Sequence, residues 1–519
     1  MIMKRFLPLL FLFAFPLHAA ARPDLIVIIS IDQFRYDYLT RFTAYFAEDG
    51  FRRFLDRGAD FTNAEIVYAD TVTGAGHASI GTGYTPSATG VIGDGWFDRM
   101  TNRSVYCAYD PADGVSPVTI QTSSLGDRDQ EAFPGAKVYG VAIKDRASIL
   151  MAGRKATGAY WFDAKKQQFV SDSYYAADEA LLASYNATLP AFLTAHPVWE
   201  QSSFIPAADL ARITHDPEAL RKFKTNPEGL GVSFPHPIRS LAAIESTPFG
   251  NAMTIGLAEE LIEKEHAGDP DTTPDILFLG LSSQDYLGHA YGPDSLEVAD
   301  SVVRTDRDLA DLFRFLDAHF AGRYTVALTA DHGVQSIPEV ARDMGRDAGR
   351  ATLAKNPALP QDLIRNVTES SIYLDWDRIH AKKLDGERAK IQVRDAALKL
   401  NGVAAAFTNS QLMQAPAANA SGNEMAVRRS FRADRSGDVI VVLKPGWIWN
   451  YNGTGTTHGQ PVEADQHVPL LFWGNGISAG HFSDAAAPTD IARTIGALLG
   501  FKAGADDSRA LPCVHTNVR

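Results

Sequence analysis

The apolar stretch Leu25-Ile-Val-Ile-Ile-Ser-Ile31, followed at once by Asp32, decides the fold class. It is continuous and rich in β-branched residues, which is typical of a strand buried on both faces of a sheet. Similar runs recur along the chain, at Val138–Ile143, Ile276–Leu281, Tyr324–Leu328 and Val468–Trp473. Helical patterns lie between them, at Phe249–Glu265, Ser295–Phe320 and Thr489–Leu499. This alternation predicts an α/β fold with a mostly parallel central sheet and helices on both faces.

Two stretches interrupt the alternation of strands and helices. Residues from about 183 to 239 are rich in Pro, Asn and His and have poor periodicity. Residues from about 333 to 437 carry many charges and the low-complexity run Ala415-Pro-Ala-Ala-Asn-Ala-Ser-Gly422. We therefore expect a single α/β domain over residues 22–519, in which these insertions form a smaller cap region.

The first 21 residues have the pattern of a secretory signal peptide. Lys4 and Arg5 precede the apolar run Phe6–Leu17, and Ala19-Ala20-Ala21 supplies a cleavage site. The apolar run is too short for a membrane span, and no later run is long enough for one. The sequence therefore predicts an exported protein, periplasmic or secreted.

Composition excludes several classes of protein. The 519 residues are 45% hydrophobic and include only two cysteines, which excludes a disordered chain, a collagen-like chain and a disulfide scaffold. The formal net charge of −13 argues against binding to duplex nucleic acid or to an anionic membrane, because both need a basic face. Whether Cys107 and Cys513 form a disulfide stays open at this stage, as does the oligomeric state.

Several potential metal ligands follow predicted strands. The carboxyl ends of parallel strands meet at one edge of a sheet, so these segments can converge there. A further histidine lies in the loop Gly453-Thr-Gly-Thr-Thr-His-Gly459. Three aspartates and three histidines suit two borderline metal ions such as zinc. The six candidates are Asp32, Asp285, His289, Asp331, His332 and His458.

Each candidate metal ligand also has a structural interpretation that involves no metal. An aspartate after a strand is commonly a helix N-cap, and Asp-His-Gly is commonly a turn. His458 alone is compatible with a loop histidine. The occurrence of several candidate ligands at strand ends favours a metal site. We expect His77 and His467 to support the ligands rather than bind a metal themselves.

Thr73 is the candidate nucleophile. It lies in the Gly-rich turn Thr71-Val-Thr-Gly-Ala-Gly-His77, which opens into a helix-like segment at Ala78–Thr82. A hydroxyl at a helix N-terminus lies beside backbone N–H groups and a positive dipole end, which suits a phosphoryl group. A threonine hydroxyl needs a metal or a base to become nucleophilic. The alternative is that Thr73 only caps the helix.

In combination, these residues resemble the alkaline phosphatase superfamily, and closely its exported threonine-nucleophile alkaline phosphatases. The resemblance covers nearly the whole chain after residue 21, in order. It is carried by Ser30-Ile-Asp-Gln-Phe-Arg35, Thr71-Val-Thr-Gly-Ala-Gly-His-Ala78, Ala142-Ile-Lys-Asp-Arg146, Ser282-Ser-Gln-Asp-Tyr-Leu-Gly-His289, Ala330-Asp-His-Gly333 and Thr457-His-Gly459.

The resemblance implies a two-zinc site. One zinc would be held by Asp32, Asp331, His332 and the Thr73 oxygen, and the other by Asp285, His289 and His458. The first ion would activate Thr73 for in-line attack on phosphorus, which forms a phosphothreonine. The second would stabilise the leaving oxygen and then activate water, as in other two-metal clamps.

Lys144 and Arg146 match a basic pair that contacts the non-bridging phosphoryl oxygens in that family. The two would share a face if the Val138–Ile143 strand continued through them. Two cations suit a dianionic monoester better than a monoanionic diester. The alternative is a basic turn at the end of a strand.

Asp94 is the one departure from the family pattern. It stands where that family usually has an asparagine that donates a hydrogen bond to the phosphoryl group, and an ionised carboxylate cannot donate. We expect Asp94 to face the site, because its spacing from Thr73 matches without a gap. The alternative is that Asp94-Gly95 is a turn with the carboxylate facing water.

The expected function is an exported, metal-dependent hydrolase of small-molecule phosphate monoesters that acts through a phosphothreonine at a two-zinc site. One alternative is a phosphodiesterase or nucleotide pyrophosphatase of the same superfamily. A second is a catalytically impaired protein that binds metal or phosphate, with Asp94 as the mark of lost activity.

Overall fold

A nine-stranded sheet forms the centre of the protein. The computed structural model describes residues 22–112, 114–270, 273–506 and 508–515, so the predicted signal peptide lies outside the described residues. In chain order the strands are β1 (Leu25–Ile31), β2 (Ala59–Phe61), β3 (Val138–Ala142), β4 (Gly158–Asp163), β5 (Gln168–Val170), β6 (Asp275–Leu281), β7 (Tyr324–Thr329), β8 (Leu470–Gly474) and β9 (Gly480–Phe482).

The sheet is mostly parallel, as predicted. Its strand order is β9-β2-β8-β7-β1-β6-β3-β4-β5, and the middle strands β7, β1, β6, β3 and β4 all run parallel. Strand β8 is antiparallel to both of its neighbours. It begins at Leu470, two residues later than the apolar run that predicted it.

Helices cover both faces of the sheet, which confirms the predicted fold class. The side chains of β1 point alternately to the two faces of the sheet, and each face has its own hydrophobic core. Val27 and Ile29 pack into one core, and Ile26 and Ile28 into the other. The first face packs on Phe249–Lys264 and Leu296–Phe320. The second packs on Thr73–Thr82, Leu125–Ala132, Asp145–Ala152 and Asp490–Leu499. This two-sided burial explains why β1 is apolar at almost every position.

Residues of the first predicted insertion form a layer of short elements rather than a separate sheet domain. It contains the helices Glu179–Asn186, Leu189–Ala195, Ala207–Ile213 and Leu241–Ile244. The strands Val198–Trp199 and His236–Pro237 pair antiparallel. Trp199 is fully buried and donates to Asp300 at 2.7 Å, so the layer is fixed to the long helix Leu296–Phe320.

The second insertion forms a cap with its own sheet and core. Its strands Ile364–Thr368, Ser371–Leu374, Val403–Thr408 and Val439–Leu443 make a four-stranded sheet. The helices Trp376–Ala381, Gly386–Ala397, Asn409–Met413 and Gly422–Ser430 accompany it. Because Val439–Leu443 belongs to this sheet, the cap extends beyond the expected end at about residue 437.

Two further points concern membranes and cysteines. Every helix within the described ranges is too short or too polar to cross a lipid bilayer. Cys107 and Cys513 are both free thiols, and they lie buried in different apolar clusters. The two cysteines therefore form no disulfide with each other in this structure.

Candidate active site

Four neighbouring strands deliver the candidate residues to one edge of the sheet. Asp331 and His332 lie just beyond β7, and Asp32 directly follows β1. Asp285 lies in the helix Ser283–Tyr291 that follows β6, and Lys144 lies just beyond β3. Because β7, β1, β6 and β3 are adjacent and parallel, their carboxyl ends bring these side chains together.

Asp285, His289 and His458 converge on one point. The helix Ser283–Tyr291 places Asp285 and His289 one turn apart, as expected from their spacing. The two histidine Nε2 atoms are 3.2 Å apart, and they lie 3.2 and 3.5 Å from the Asp285 Oδ1. His332 stacks on His458 with ring centroids 3.5 Å apart. Its ligand atom lies within 4.8 Å of those of Asp285 and His458.

Asp32 and Asp331 converge on a second point, together with His77. The ligand atoms of all three lie within 4.8 Å of one another, and all three side chains are completely buried. The His77 Nε2 is 3.2 Å from Asp32 Oδ1. The sequence predicted a supporting role for His77, and its position four residues after Thr73 on the same helix brings it to this cluster.

Backbone carbonyls fix the tautomer of each histidine in the two clusters. The Nδ1 of His289 contacts Thr456 O, and that of His458 contacts Thr71 O, at 2.8 and 2.7 Å. His332 and His77 use Nδ1 in the same way, each at 2.9 Å from a carbonyl oxygen. A carbonyl only accepts, so each Nδ1 carries a proton and each Nε2 faces the cluster, which is the arrangement of metal-binding histidines.

Several buried polar atoms in these clusters have no hydrogen-bond partner among the described residues. They are both carboxylate oxygens of Asp32, the Oδ2 of Asp331, and the Nε2 atoms of His77 and His332. These atoms make ion-pair contacts of 3.1 to 3.4 Å with Lys144 or with one another, whereas buried polar atoms are normally hydrogen-bonded. Divalent cations would satisfy this set of oxygen and nitrogen donors, so the residues present fit metal binding.

Charge interactions keep the ligand carboxylates ionised. Burial alone would raise the pKa of Asp32, but the Lys144 and His77 charges outweigh it and lower the pKa. Burial is likewise outweighed at Asp285, where His289 and Lys144 hold the pKa well below its usual value. Burial, aided by the neighbouring His332, lowers the pKa of His458 to about 4, which keeps its Nε2 free of a proton.

Thr73 is the first residue of the helix Thr73–Thr82, which begins earlier than the segment predicted as helical. The N-cap is Val72, and no side chain caps the helix, so the interpretation of Thr73 as a simple cap is wrong. The Thr73 Oγ1 instead lies 3.1 Å from the Lys144 Nζ. Thr71, the neighbouring threonine, donates its hydroxyl to Gln460 O at 3.2 Å.

Lys144 and Arg146 reach the site from the start of a helix, not from a strand. Strand β3 ends at Ala142, Lys144 is the N-cap of the helix Asp145–Ala152 and Arg146 lies in its first turn, so the strand does not continue through them and they share no strand face. The Lys144 Nζ lies 2.6 Å from Asp285 Oδ2 and 3.1 Å from Asp32 Oδ2. It thereby bridges the two ligand clusters and contacts Thr73 at the same time.

Asp94 faces the site and is held from two sides. Its Oδ1 accepts a hydrogen bond of 2.6 Å from the Gly74 N–H, and its Oδ2 lies 3.2 Å from the Arg146 guanidinium. Burial opposes ionisation, but Arg146 and the Gly74 N–H lower the pKa of Asp94. Asp94 is therefore not a turn residue whose carboxylate only faces water. It is ionised and pairs with Arg146 next to the nucleophile helix.

Glu369 is a residue of the site that the sequence analysis did not identify. It lies between the cap strands Ile364–Thr368 and Ser371–Leu374, and it lines the same cleft as Asp94. Its φ of +40° is in the left-handed region that non-glycine residues rarely adopt. Burial and the nearby Asp94 raise the pKa of Glu369 to about 8. From the sequence, this glutamate was an ordinary charged residue in a polar insertion.

Gly76 allows the nucleophile helix to pack directly on the metal-ligand loop. A Cβ at this position would lie 2.5 to 2.9 Å from backbone and Cβ atoms of Asp331.

We expect Gly76→Ala to lower the free energy of unfolding by about 1–3 kcal/mol, because the backbone of the helix or of Asp331 must move to make room for the new methyl group. Thermal unfolding measures this effect. Gly422→Ala is the matched control because a Cβ there meets no atom within 4 Å, and an equal loss in both variants would contradict the packing argument.

Comparisons with known proteins identify the family of this chain. Residues 26–465 match the family model described as type I phosphodiesterase / nucleotide pyrophosphatase. The chain is 33% identical to the alkaline phosphatase PafA of Elizabethkingia meningoseptica, with 93% of this chain and 92% of PafA covered. It is 34% identical to the alkaline phosphatase PhoV of Synechococcus elongatus, with 92% of this chain and 90% of PhoV covered.

The same similarity is found among solved structures. The crystal structure of wild-type PafA matches with a TM-score of 0.86 at 31% identity, and the match covers 96% of this chain and 100% of PafA. Sequence, fold and the clustered donor atoms therefore lead to one conclusion. The chain belongs to the type I phosphodiesterase / nucleotide pyrophosphatase family of metal-dependent phosphoester hydrolases, and within it to the alkaline phosphatases.

Proposed function

We propose that this protein is an exported phosphomonoesterase that transfers the phosphoryl group to Thr73 and then to water. The main support is the position of the Thr73 hydroxyl, at a helix N-terminus and 3.1 Å from Lys144, beside two clusters of metal-type donors. Export is supported by the signal-peptide pattern of residues 1–21.

Two zinc ions are the proposed cofactors. We assign Asp32, Asp331, His332 and Thr73 to one ion, and Asp285, His289 and His458 to the other. His77, whose ring lies against Asp32 and Asp331, would hold these two carboxylates in place. When bound, the metals would act as Lewis acids that favour ionisation of the attacking oxygen and neutralise charge on the leaving oxygen.

The residues of the chain bind and orient the phosphoryl group. Thr73 lies at the N-terminus of the helix Thr73–Thr82, where the positive end of the helix dipole attracts an anion. The charges of Asp285 and Asp32 outweigh burial and raise the pKa of Lys144, so its Nζ stays protonated. Lys144 therefore donates to Thr73 Oγ1 and stabilises the alkoxide, and it does not serve as the base.

The proposed reaction has two in-line displacements. The Thr73 hydroxyl loses its proton and its Oγ1 forms a bond to phosphorus while the bond to the alcohol oxygen breaks, and the departing alcohol oxygen takes up one proton in exchange. A water molecule then forms a bond to phosphorus while the Thr73 Oγ1–P bond breaks, which restores the threonine and releases inorganic phosphate. Lys144 and Arg146 would contact non-bridging oxygens in both steps.

A phosphate-release assay tests this function. The purified, zinc-supplemented protein should release phosphate from p-nitrophenyl phosphate faster than it releases nitrophenol from bis(p-nitrophenyl) phosphate. The reverse preference would support the alternative of a phosphodiesterase or nucleotide pyrophosphatase. No hydrolysis of either ester would support a protein that only binds metal or phosphate.

Arg146→Ala should reduce kcat/KM for the monoester by roughly ten- to a hundredfold, because one charge-assisted contact to a dianion is lost. The loss for the diester should be smaller. Arg146 is a cleaner probe than Lys144, since Lys144→Ala also removes the cation between Asp32 and Asp285. Arg128→Ala serves as a control because Arg128 is half exposed and pairs only with Glu131. Equal losses on both esters would contradict the proposed monoester preference.

Asp94→Asn should raise kcat/KM for a phosphomonoester several-fold at alkaline pH. The substitution removes a negative charge beside the phosphoryl position and frees Arg146, while its amide oxygen still accepts from Gly74. Steady-state kinetics and phosphate inhibition between pH 7 and 10 measure the effect. Asp98→Asn is the control because Asp98 bonds Met100 and Thr101 in a surface turn. An unchanged pH–rate profile with unchanged phosphate inhibition would remove Asp94 from the mechanism.

A further inference from the structure

A cleft of about 360 Å³ opens beside the proposed leaving-group metal site. His289 and His458 form its inner wall, and Asp94 lies at the side of the phosphoryl position. Thr225 from the first insertion and Glu369 from the cap also line it. The cleft is therefore continuous with the catalytic centre and has the size of a small-molecule subsite.

One wall of the cleft is apolar and aromatic. It consists of Ile448, Trp449 and Tyr451, which lie at the end of the cap strand Trp447–Trp449 and in the loop after it. Ile448 and Trp449 are buried, whereas Tyr451 is 60% exposed. An exposed tyrosine ring beside a catalytic cleft offers a flat face to a second ring.

The loop that carries this wall is held in place at several points. Gly455 donates its backbone N–H to Phe223 O at 2.6 Å, and Thr456 donates to His289 O at 3.0 Å. The Arg350 guanidinium contacts Gly455 O at 2.9 Å and Glu339 at 2.8 Å. These contacts connect the loop to a proposed metal ligand, so the aromatic wall has a defined position relative to the reacting centre.

The charged groups of the cleft argue against an anionic leaving group. Arg350 is the only Arg or Lys among its lining residues in the described part of the chain, and it is already paired with Glu339. The lining residues also include the carboxyl groups of Asp94, which is ionised, and of Glu369, which ionises at alkaline pH. A second phosphate or carboxylate in the leaving group would face these acids, with no unpaired Arg or Lys side chain among the described lining residues to bind it.

We infer that this cleft is a subsite for an uncharged aromatic group on the leaving alcohol, with Tyr451 as the residue that determines the preference. The inference rests on the proposed phosphomonoesterase function, because it assigns the side of the phosphoryl group on which the alcohol lies. The substrate class is phosphate monoesters of neutral alcohols that carry a flat ring. Stacking on Tyr451 and contact with Trp449 provide the selectivity.

Three synthetic monoesters of primary alcohols test the inference, because the intrinsic reactivity of their ester bonds is similar. They are 2-phenylethyl phosphate, 2-cyclohexylethyl phosphate and propyl phosphate. We expect kcat/KM to be highest for the phenyl ester, at least about fivefold above the propyl ester, and to be intermediate for the cyclohexyl ester. Tyr451→Ala should remove most of the phenyl advantage, and Tyr451→Phe should retain it.

Tyr109→Ala is the matched control, because Tyr109 is also a half-exposed tyrosine and does not line the cleft. Its three kcat/KM values should equal those of the unsubstituted protein. Equal values for all three esters, or a phenyl advantage that survives Tyr451→Ala, would overturn the subsite while hydrolysis of propyl phosphate upholds the proposed function. Equal values for the phenyl and cyclohexyl esters would overturn the aromatic preference. No phosphate release from any ester would overturn both.

Discussion

Thr73→Ala is expected to reduce kcat for phosphomonoesters by at least about 10³-fold, because it removes the attacking oxygen. No other described hydroxyl is within hydrogen-bond distance of Lys144 Nζ. The variant should still bind zinc through its remaining ligands, so metal analysis distinguishes a lost nucleophile from a lost site. Stopped assays of phosphate release measure the change.

Thr71→Ala is the matched control for this experiment. Thr71 lies two residues upstream, but its hydroxyl donates to Gln460 O, away from Lys144. Its removal should leave kcat within a few-fold of the unsubstituted value. If Thr71→Ala abolished turnover and Thr73→Ala did not, the nucleophile would be wrongly assigned. Thr73→Ser, which keeps a hydroxyl, should retain measurable activity.

Removal of the metals is the second change with a large expected effect. The purified protein should contain about two zinc ions per chain, and chelation should lower kcat/KM by at least about 10³-fold. Without cations, several buried atoms of Asp32, Asp331 and His332 lack a hydrogen bond among the described residues and keep only ion-pair contacts. We therefore also expect chelation to lower the thermal unfolding temperature, which is a readout independent of activity.

Variants of single ligands separate the two proposed ions. His458→Ala should lower the zinc content to about one per chain, because it removes one donor of the Asp285 cluster and leaves the Asp32 cluster complete. His481→Ala is a control, since His481 is largely exposed and pairs with Asp60. Full activity after exhaustive chelation, with no bound metal detected, would contradict the metal-dependent account.

The parts of the site that directly follow strands could be predicted from the sequence. Asp32, Asp331 and Lys144 lie within three residues of apolar runs that form parallel strands in the middle of the sheet. Asp285 and His289 could be placed because a four-residue spacing puts two side chains on one helical face. In these cases the local sequence pattern shows where a strand or helix lies, and the carboxyl ends of parallel strands meet at one edge of the sheet, which places the side chains together.

The residues contributed by the insertions could not be predicted in this way. Glu369 from the cap, and likewise Tyr451 from the loop that follows it, lie in segments without periodicity, and their places depend on how the chain packs around the cleft. The end of strand β3 at Ala142 could not be predicted for a related reason. A β-branched run does not reveal where its strand ends when the next residues, such as Lys144, cap a helix.

The role of Asp94 could be predicted only in part. Its spacing from Thr73 indicated that it faces the site, but the sequence did not indicate how a carboxylate is accommodated beside the phosphoryl position. The structure selects the ion pair, because Arg146 and the Gly74 N–H both contact Asp94. Such a choice depends on side-chain distances between segments far apart in sequence, which no local pattern contains.

The stereochemical course at phosphorus tests the central claim most directly. A monoester that is made chiral with three oxygen isotopes is treated with the zinc-loaded protein in the presence of an acceptor diol, and the configuration of the transferred phosphoryl group is measured. Two successive in-line displacements through Thr73 each invert the configuration, so the account predicts net retention. Net inversion would show a single direct displacement without a phosphothreonine and would contradict the account.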